Sequence, residues 1–184
     1  ALTFSRNRMK FTKYTLLGLL GFMILFGIIG LFLPSSQKVV RDITINAPAS
    51  EVFSYANDYR KFNQWSPWAK LDPDTVYTYS GAEQGVGAKM EWSSKHEHVG
   101  KGAQEILESR PHEFIKTRLD FGFNDPSTAT FSFEESAGST TVTWTFETYL
   151  GNTISRYFGM FLDSWVGDSY ERGLADLKSL VESS

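Results

Sequence analysis

Residues 128–149 read TATFSFEESAGSTTVTWTFETY. In the first half Ala129, Phe131 and Phe133 alternate with Ser and Thr; in the second half Val142, Trp144 and Phe146 do the same. Successive side chains of a strand point to opposite faces, so each half reads as a strand with one dry and one wet face. Ala137-Gly138-Ser139 between them supplies a turn. An antiparallel pair packed on a core through one face gives this pattern.

Working back from that pair, four more segments read as strands: Val76–Ser80, Ala88–Ser94, Gly100–Glu108 and Glu113–Phe121. Turn residues separate them: Gly81, Gly85 and Gly87, then Arg110-Pro111, then Asn124-Asp125-Pro126. Lys38–Asn46 (KVVRDITIN) is a further strand, with Ile43 and Ile45 inward. After it, Ala47-Pro48-Ala49-Ser50-Glu51 opens a helix whose apolar face holds Val52, Phe53, Tyr55 and Ala56. A second short helix is expected around Arg60–Trp65, ending in Ser66-Pro67-Trp68.

Beyond Gly151-Asn152 the period changes from two to 3.6. Ile154, Phe158, Phe161 and Trp165, then Leu174, Leu177 and Val181, are expected to form one stripe of a long amphipathic helix. Seven antiparallel strands and one long helix make an α+β layer pair. A curved sheet around a helix leaves an enclosed space between them.

Before all of this lies Tyr14–Leu33, YTLLGLLGFMILFGIIGLFL, without a single charge. At about 1.5 Å per residue it spans roughly 30 Å, the thickness of a bilayer core. It has no polar face, so a transmembrane helix over 14–33 is expected. Residues 1–13 carry Arg6, Arg8, Lys10 and Lys13 and no acid. The positive-inside rule makes 1–13 a basic cytoplasmic tail and carries the rest across the membrane, into the periplasm of a Gram-negative bacterium. A cleaved signal peptide would have a shorter apolar region and a better site than Leu33-Pro34-Ser35-Ser36. The expected organisation is therefore tail, span at 14–33, linker at 34–37 and one domain at 38–184.

The net charge of −3 includes the +4 of the tail, which leaves −7 for the remainder. An acidic domain excludes nucleic acid as a partner. With no cysteine, thiolate catalysis, thiolate metal sites and disulfides are excluded. Aromatic residues make up 15% of the chain, enough both to fill a core and to line an apolar pocket.

Several motifs in this order resemble a known family. They are Ile45-x-Ala47-Pro48-Ala49-x-Glu51-Val52-Phe53 and Asp58-Tyr59-x-x-Phe62-x-x-Trp65-Ser66-Pro67-Trp68, then Gly85-Val86-Gly87-Ala88 with Glu91-Trp92. Gly100-x-Gly102, Glu108-x-x-Pro111 and Thr140-Thr141-Val142-Thr143-Trp144 follow. Over residues 38–182 the chain resembles the polyketide cyclase/dehydrase branch of the START-like (SRPBCC) superfamily, in its membrane-anchored bacterial form. The resemblance implies a helix-grip fold: a seven-stranded antiparallel sheet around a long C-terminal helix, enclosing a hydrophobic cavity. It implies apolar ligands such as lipids, sterols or polyketides. It brings no universal catalytic motif, and fold does not fix function.

The residues themselves offer little chemistry. His96-Glu97-His98 is the densest group of metal-ligand types, but it falls at a hairpin without an evident third ligand and reads as a polar turn. His112 falls in a turn after Pro111. Glu105, Arg118 and Asp120 could form an acid/base group, yet alternation puts Arg118 and Asp120 opposite Leu119, on the outer face. No Gly-x-Ser-x-Gly elbow is present. No catalytic residue, metal or cofactor is expected. The cavity-lining candidates are Phe53, Trp65, Trp68, Trp92, Leu119, Trp144, Phe161 and Trp165. The expectation is a single-pass inner-membrane protein whose domain binds an apolar small molecule or lipid without transforming it. The alternatives are a cyclase- or dehydrase-like enzyme and an accessory subunit of a membrane protein complex.

Overall fold

A computed structural model describes residues 2–122 and 125–183, with side chains from Thr12 onward. The side chains of Arg6, Arg8 and Lys10, and Asn124 of the expected third turn, lie outside the described residues. Helix α1 (Leu2–Phe32) takes in both the basic segment and the apolar one as a single helix. Its portion from Thr12 to Phe32 is long and apolar enough to cross a membrane, and nearly all of it is exposed.

The remainder is one antiparallel sheet and one long helix. The strands are β1 (Ser36–Ile45), β2 (Val76–Gly81), β3 (Ala88–Ser93), β4 (Lys101–Arg110), β5 (Phe114–Asp120), β6 (Ser127–Ser136) and β7 (Ser139–Tyr149). They lie in the order β1-β7-β6-β5-β4-β3-β2, every neighbouring pair antiparallel. The stretch at 128–149 is the β6–β7 hairpin, with Phe131 opposite Trp144 and Phe133 opposite Val142. All four are buried, while the intervening Ser and Thr side chains are mostly only half-buried. The ladder between β4 and β5 shifts register between Ile106 and Glu108, a bulge that bends β4.

Three short helices connect β1 to β2: α2 (Ala49–Ala56), α3 (Tyr59–Phe62) and α4 (Pro67–Leu71). Only two were expected. Pro67 opens a third helix, because its missing N–H and fixed φ suit the first helical turn.

Helix α5 (Thr153–Glu182) is gripped by the sheet. A capping box starts it: Asn152 accepts from the Ser155 amide, and the Ser155 hydroxyl sits on the Asn152 amide. Polar ties hold its length along β1. Arg41 on β1 donates to Glu171 at 2.6 Å and to Asp163 at 3.1 Å. Gly167 lies over that guanidinium, where a Cβ would overlap it. Farther on, Lys178 donates to the Thr44 carbonyl and the Asn46 amide donates to Glu182.

The helix does not carry one apolar stripe. Tyr170, Leu174, Leu177 and Val181 are buried in the core, whereas Ile154, Phe158, Phe161 and Trp165 are all more than half exposed. Nine residues separate Trp165 from Leu174, and at about 100° per residue they stand on opposite sides of the helix. The expected stripe is two stripes, and only the second faces the sheet.

Candidate ligand-binding cavity

Trp144 is the centre of the core. Tyr170 from α5 stacks on it at 3.6 Å between centroids, and Phe131 stacks at 4.8 Å. Phe62, Trp65 and Trp68, from the short helices and their connection, meet it edge-on. Phe131, Phe62, Trp65 and Trp68 meet Trp144 in the offset and T-shaped arrangements that aromatic quadrupoles favour, whereas Tyr170 lies nearly face-to-face on it, 9° from parallel.

Beside this cluster lies a cavity of about 70 Å³. Its apolar wall comes from Phe62, Trp68, Met90, Trp92, Val99, Leu119, Ala129, Phe131, Trp144 and Tyr170. Polar groups come from Tyr59, Asn63, Ser66, Tyr77, Gln104 and Thr117. Strand pairing explains the lining from β4 and β5: Gln104 faces Leu119 on the inner side, while Glu105 faces Arg118 on the outer. Trp92 is held over Gly102, where no Cβ would fit, and donates its indole N–H to the Val99 carbonyl. The turn after β3 thus fixes Trp92 in the wall.

Three polar atoms on lining residues are buried without a hydrogen bond of ordinary geometry among the described residues: Asn63 Oδ1, Trp144 Nε1 and the Tyr59 hydroxyl, whose near neighbour is the Thr117 side chain. Asn63 is oriented through its other amide atom, which donates to the Tyr79 hydroxyl at 2.8 Å. Burial pushes the Tyr59 and Tyr170 phenols above their ordinary range, so both stay protonated. Two potential donors and one acceptor therefore sit in an otherwise apolar wall. Each buried unpaired group of this kind costs about 1–3 kcal/mol, which a ligand's polar group would recover. None of the lining residues is an acid, a histidine, a lysine or an arginine.

Four of the eight sequence candidates line this cavity: Trp68, Trp92, Leu119 and Trp144. The other four do not. Trp65 is completely buried and satisfied, its indole N–H donating to the Tyr55 carbonyl. Phe53 packs edge-on against Phe133 and His112, away from the space. Phe161 and Trp165 lie on the outward side of α5, for the angular reason given above.

Tyr59, Asn63, Gln104, Thr117 and Tyr170 were missed. Tyr170 stands at helical spacing from Leu174, Leu177 and Val181, and that spacing could have found it. Asn63, between Phe62 and Trp65, carried a weaker signal: one amide in an aromatic run.

Elsewhere, His96 and His98 occupy the turn between β3 and β4, with His98 exposed. The His96 amide donates to the Ser94 hydroxyl, which in turn donates to Asp72. That hydroxyl holds the Asp72 carboxyl below its ordinary range. Glu105 pairs with Arg118 at 2.9 Å and Lys89 at 3.4 Å on the outer face. Among the described residues no group of three or more His, Cys, Asp or Glu could hold a metal ion.

Comparison with known proteins agrees with this architecture. The model of a family described as "Polyketide cyclase / dehydrase and lipid transport" matches residues 36–182. No curated protein matches the sequence. Among solved structures, protein CV1439 from Chromobacterium violaceum is 20% identical, with 81% of this chain and 99% of that one covered and a TM-score of 0.53. TTHA0849 from Thermus thermophilus is 19% identical, covering 80% and 98%, with a TM-score of 0.58. The di-domain ARO/CYC protein StfQ from the steffimycin biosynthetic pathway is 7% identical, covering 80% and 51%, with a TM-score of 0.61. At these identities the likeness is one of fold.

Proposed function

The chain belongs to the polyketide cyclase/dehydrase and lipid transport family, and we propose that it binds, without transforming, an apolar small molecule or lipid that carries one polar function. The observation that carries this reading is the cavity wall: apolar, interrupted only by neutral polar groups, and holding three buried polar atoms, on Tyr59, Asn63 and Trp144, that have no hydrogen bond of ordinary geometry among the described residues. Acid–base chemistry at neutral pH needs a group that titrates there, and the lining supplies none. The alternative, a cyclase-like enzyme, is favoured by the family match and by the fold shared with StfQ. It would have to work through neutral hydrogen-bond donors such as the Tyr59, Tyr77 and Tyr170 phenols.

The space of about 70 Å³ is smaller than the roughly 300–1,000 Å³ of drug-sized ligand sites. A larger ligand enters by displacing half-buried side chains, and Trp68, Tyr77 and Trp92 are the half-buried aromatic residues of the wall. Binding therefore changes tryptophan emission. In this reading α1 is a retained membrane anchor, with its basic end in the cytoplasm and the domain in the periplasm. The test is a titration with a fluorescent fatty acid, comparing the wild type with Trp92→Ala. Saturable binding weakened more than stability supports a lining role. No binding to the wild type at all would favour the accessory-subunit reading.

A further inference from the structure

The exposed stripe on α5 is continuous with α1. Ile154, Phe158, Phe161 and Trp165 recur at intervals of four, three and four residues, within about 60° of one another around the helix. They stand opposite the buried Gly159, Tyr170 and Leu174. The same outward side continues past Trp165 as exposed Asp168 and Arg172. The apolar character therefore stops halfway along a helix that is otherwise exposed on that side.

The apolar half is the half that touches α1. The Tyr157 ring stacks on Phe26 at 4.1 Å, and its hydroxyl donates to the Phe26 carbonyl at 2.6 Å. Thr153 and Tyr157 close over Gly30, leaving no room for a Cβ, and Arg156 donates to the Leu31 carbonyl. Phe26 lies six residues, or about 9 Å, before the end of the apolar segment at Phe32. Only Leu33–Ser35 separate α1 from β1, a reach of about 10 Å. The domain cannot move away from the surface that α1 enters.

We propose that the outward face of α5 from Ile154 to Trp165 is a membrane-docking surface, seated in the headgroup–acyl boundary of the bilayer that α1 crosses. This rests on α1 being a membrane span. An amphipathic helix with aromatic residues on its apolar side is suited to that layer, and tryptophan partitions there. The change to Asp168 and Arg172 marks where α5 rises into water. The domain is then held at two places, by α1 through the bilayer and by α5 on it. Its orientation to the membrane is fixed rather than free about a linker.

The chain has no cysteine, so single-cysteine labels report without background. Nitroxides are placed by Leu25→Cys, Phe158→Cys, Phe161→Cys and Arg172→Cys in the full chain, reconstituted into phosphatidylethanolamine/phosphatidylglycerol vesicles. All four positions are exposed, so none of the labels disturbs the core. Collision with oxygen, which concentrates in lipid, is compared with collision with a water-soluble nickel chelate. Docking predicts oxygen-accessible labels at 25, 158 and 161 and a nickel-accessible label at 172. Oxygen at 25 with nickel at 158 and 161 would overturn the docking and leave the anchor standing. Labels at 158 and 161 shielded from both reagents would mean that a second copy or another protein covers the stripe, which also overturns it. Nickel access at 25 would remove the anchor, and the docking with it.

Discussion

Trp65 and Trp144 form a matched pair for testing whether the cavity wall carries unpaired polar groups. Both are buried in the same aromatic cluster, 5.4 Å apart between centroids. The Trp65 indole donates to the Tyr55 carbonyl at 3.2 Å, whereas Trp144 Nε1 has no partner among the described residues. Replacing either by Phe removes roughly 40 Å³, which at about 24 cal/mol per Å³ costs about 1 kcal/mol. Trp65→Phe also loses a hydrogen bond worth about 1 kcal/mol, while Trp144→Phe removes an unpaired donor whose burial costs about 1–3 kcal/mol. Trp144→Phe should therefore be the more stable of the two by at least about 2 kcal/mol. For a protein of this size each kcal/mol moves Tm by about 2–4 °C, so its Tm should lie about 4–8 °C higher. The assay is a thermal melt followed by circular dichroism on protein purified in mild detergent. Equal Tm values, or a lower one for Trp144→Phe, would show that the Trp144 N–H is already satisfied and refute the polar part of the site.

The Arg41 clamp should make part of the stability pH-dependent. Its hydrogen bond holds the Asp163 carboxyl below the ordinary 3.8. A lowered folded pKa stabilises above the unfolded value and is lost as pH falls through the folded one. The Tm gap between wild type and Arg41→Gln should thus be full at pH 6 and shrink below about pH 4; a gap that grows on acidification would contradict this. Gly102→Ala places a Cβ in the Trp92 ring and 2.8 Å from the Asp120 carbonyl oxygen. It should cost about 1–3 kcal/mol and shift tryptophan emission, whereas a silent variant would mean Trp92 is not seated there. His96→Ala combined with His98→Ala should leave Tm and zinc response unchanged, as expected of a polar turn. A reporter active only in the periplasm, fused after Ser184 and expressed in a Gram-negative host, should give signal; a signal from a cytoplasmic reporter instead would reverse the topology.

The sheet was legible because its alternation is local. Phe131, Phe133, Val142 and Trp144 declare one face over a few residues, and glycine or proline marks most ends. The α5 faces were not, because helical phase accumulates: Phe161 and Leu174 look alike in sequence and point opposite ways after thirteen residues. Trp68, Trp92, Leu119 and Trp144 were reachable as large apolar residues on elements expected to wall the enclosed space. Trp65 was indistinguishable from them, since its hydrogen bond to Tyr55 depends on how the short helices turn. The polar atoms of Tyr59 and Asn63 could not be read at all. A missing partner is a property of three-dimensional packing, and no residue type announces it.

Native mass spectrometry of the protein extracted in mild detergent from the cells that make it tests the proposed binding most directly, with Ala129→Leu beside the wild type. Ala129 is buried and lines the cavity, and the added isopropyl group occupies much of its volume. The wild type should retain an apolar small molecule of defined mass. Ala129→Leu should lose it while melting within about 2 kcal/mol of wild type. A wild type that carries nothing, or a variant that carries the same molecule equally well, would contradict binding in this cavity.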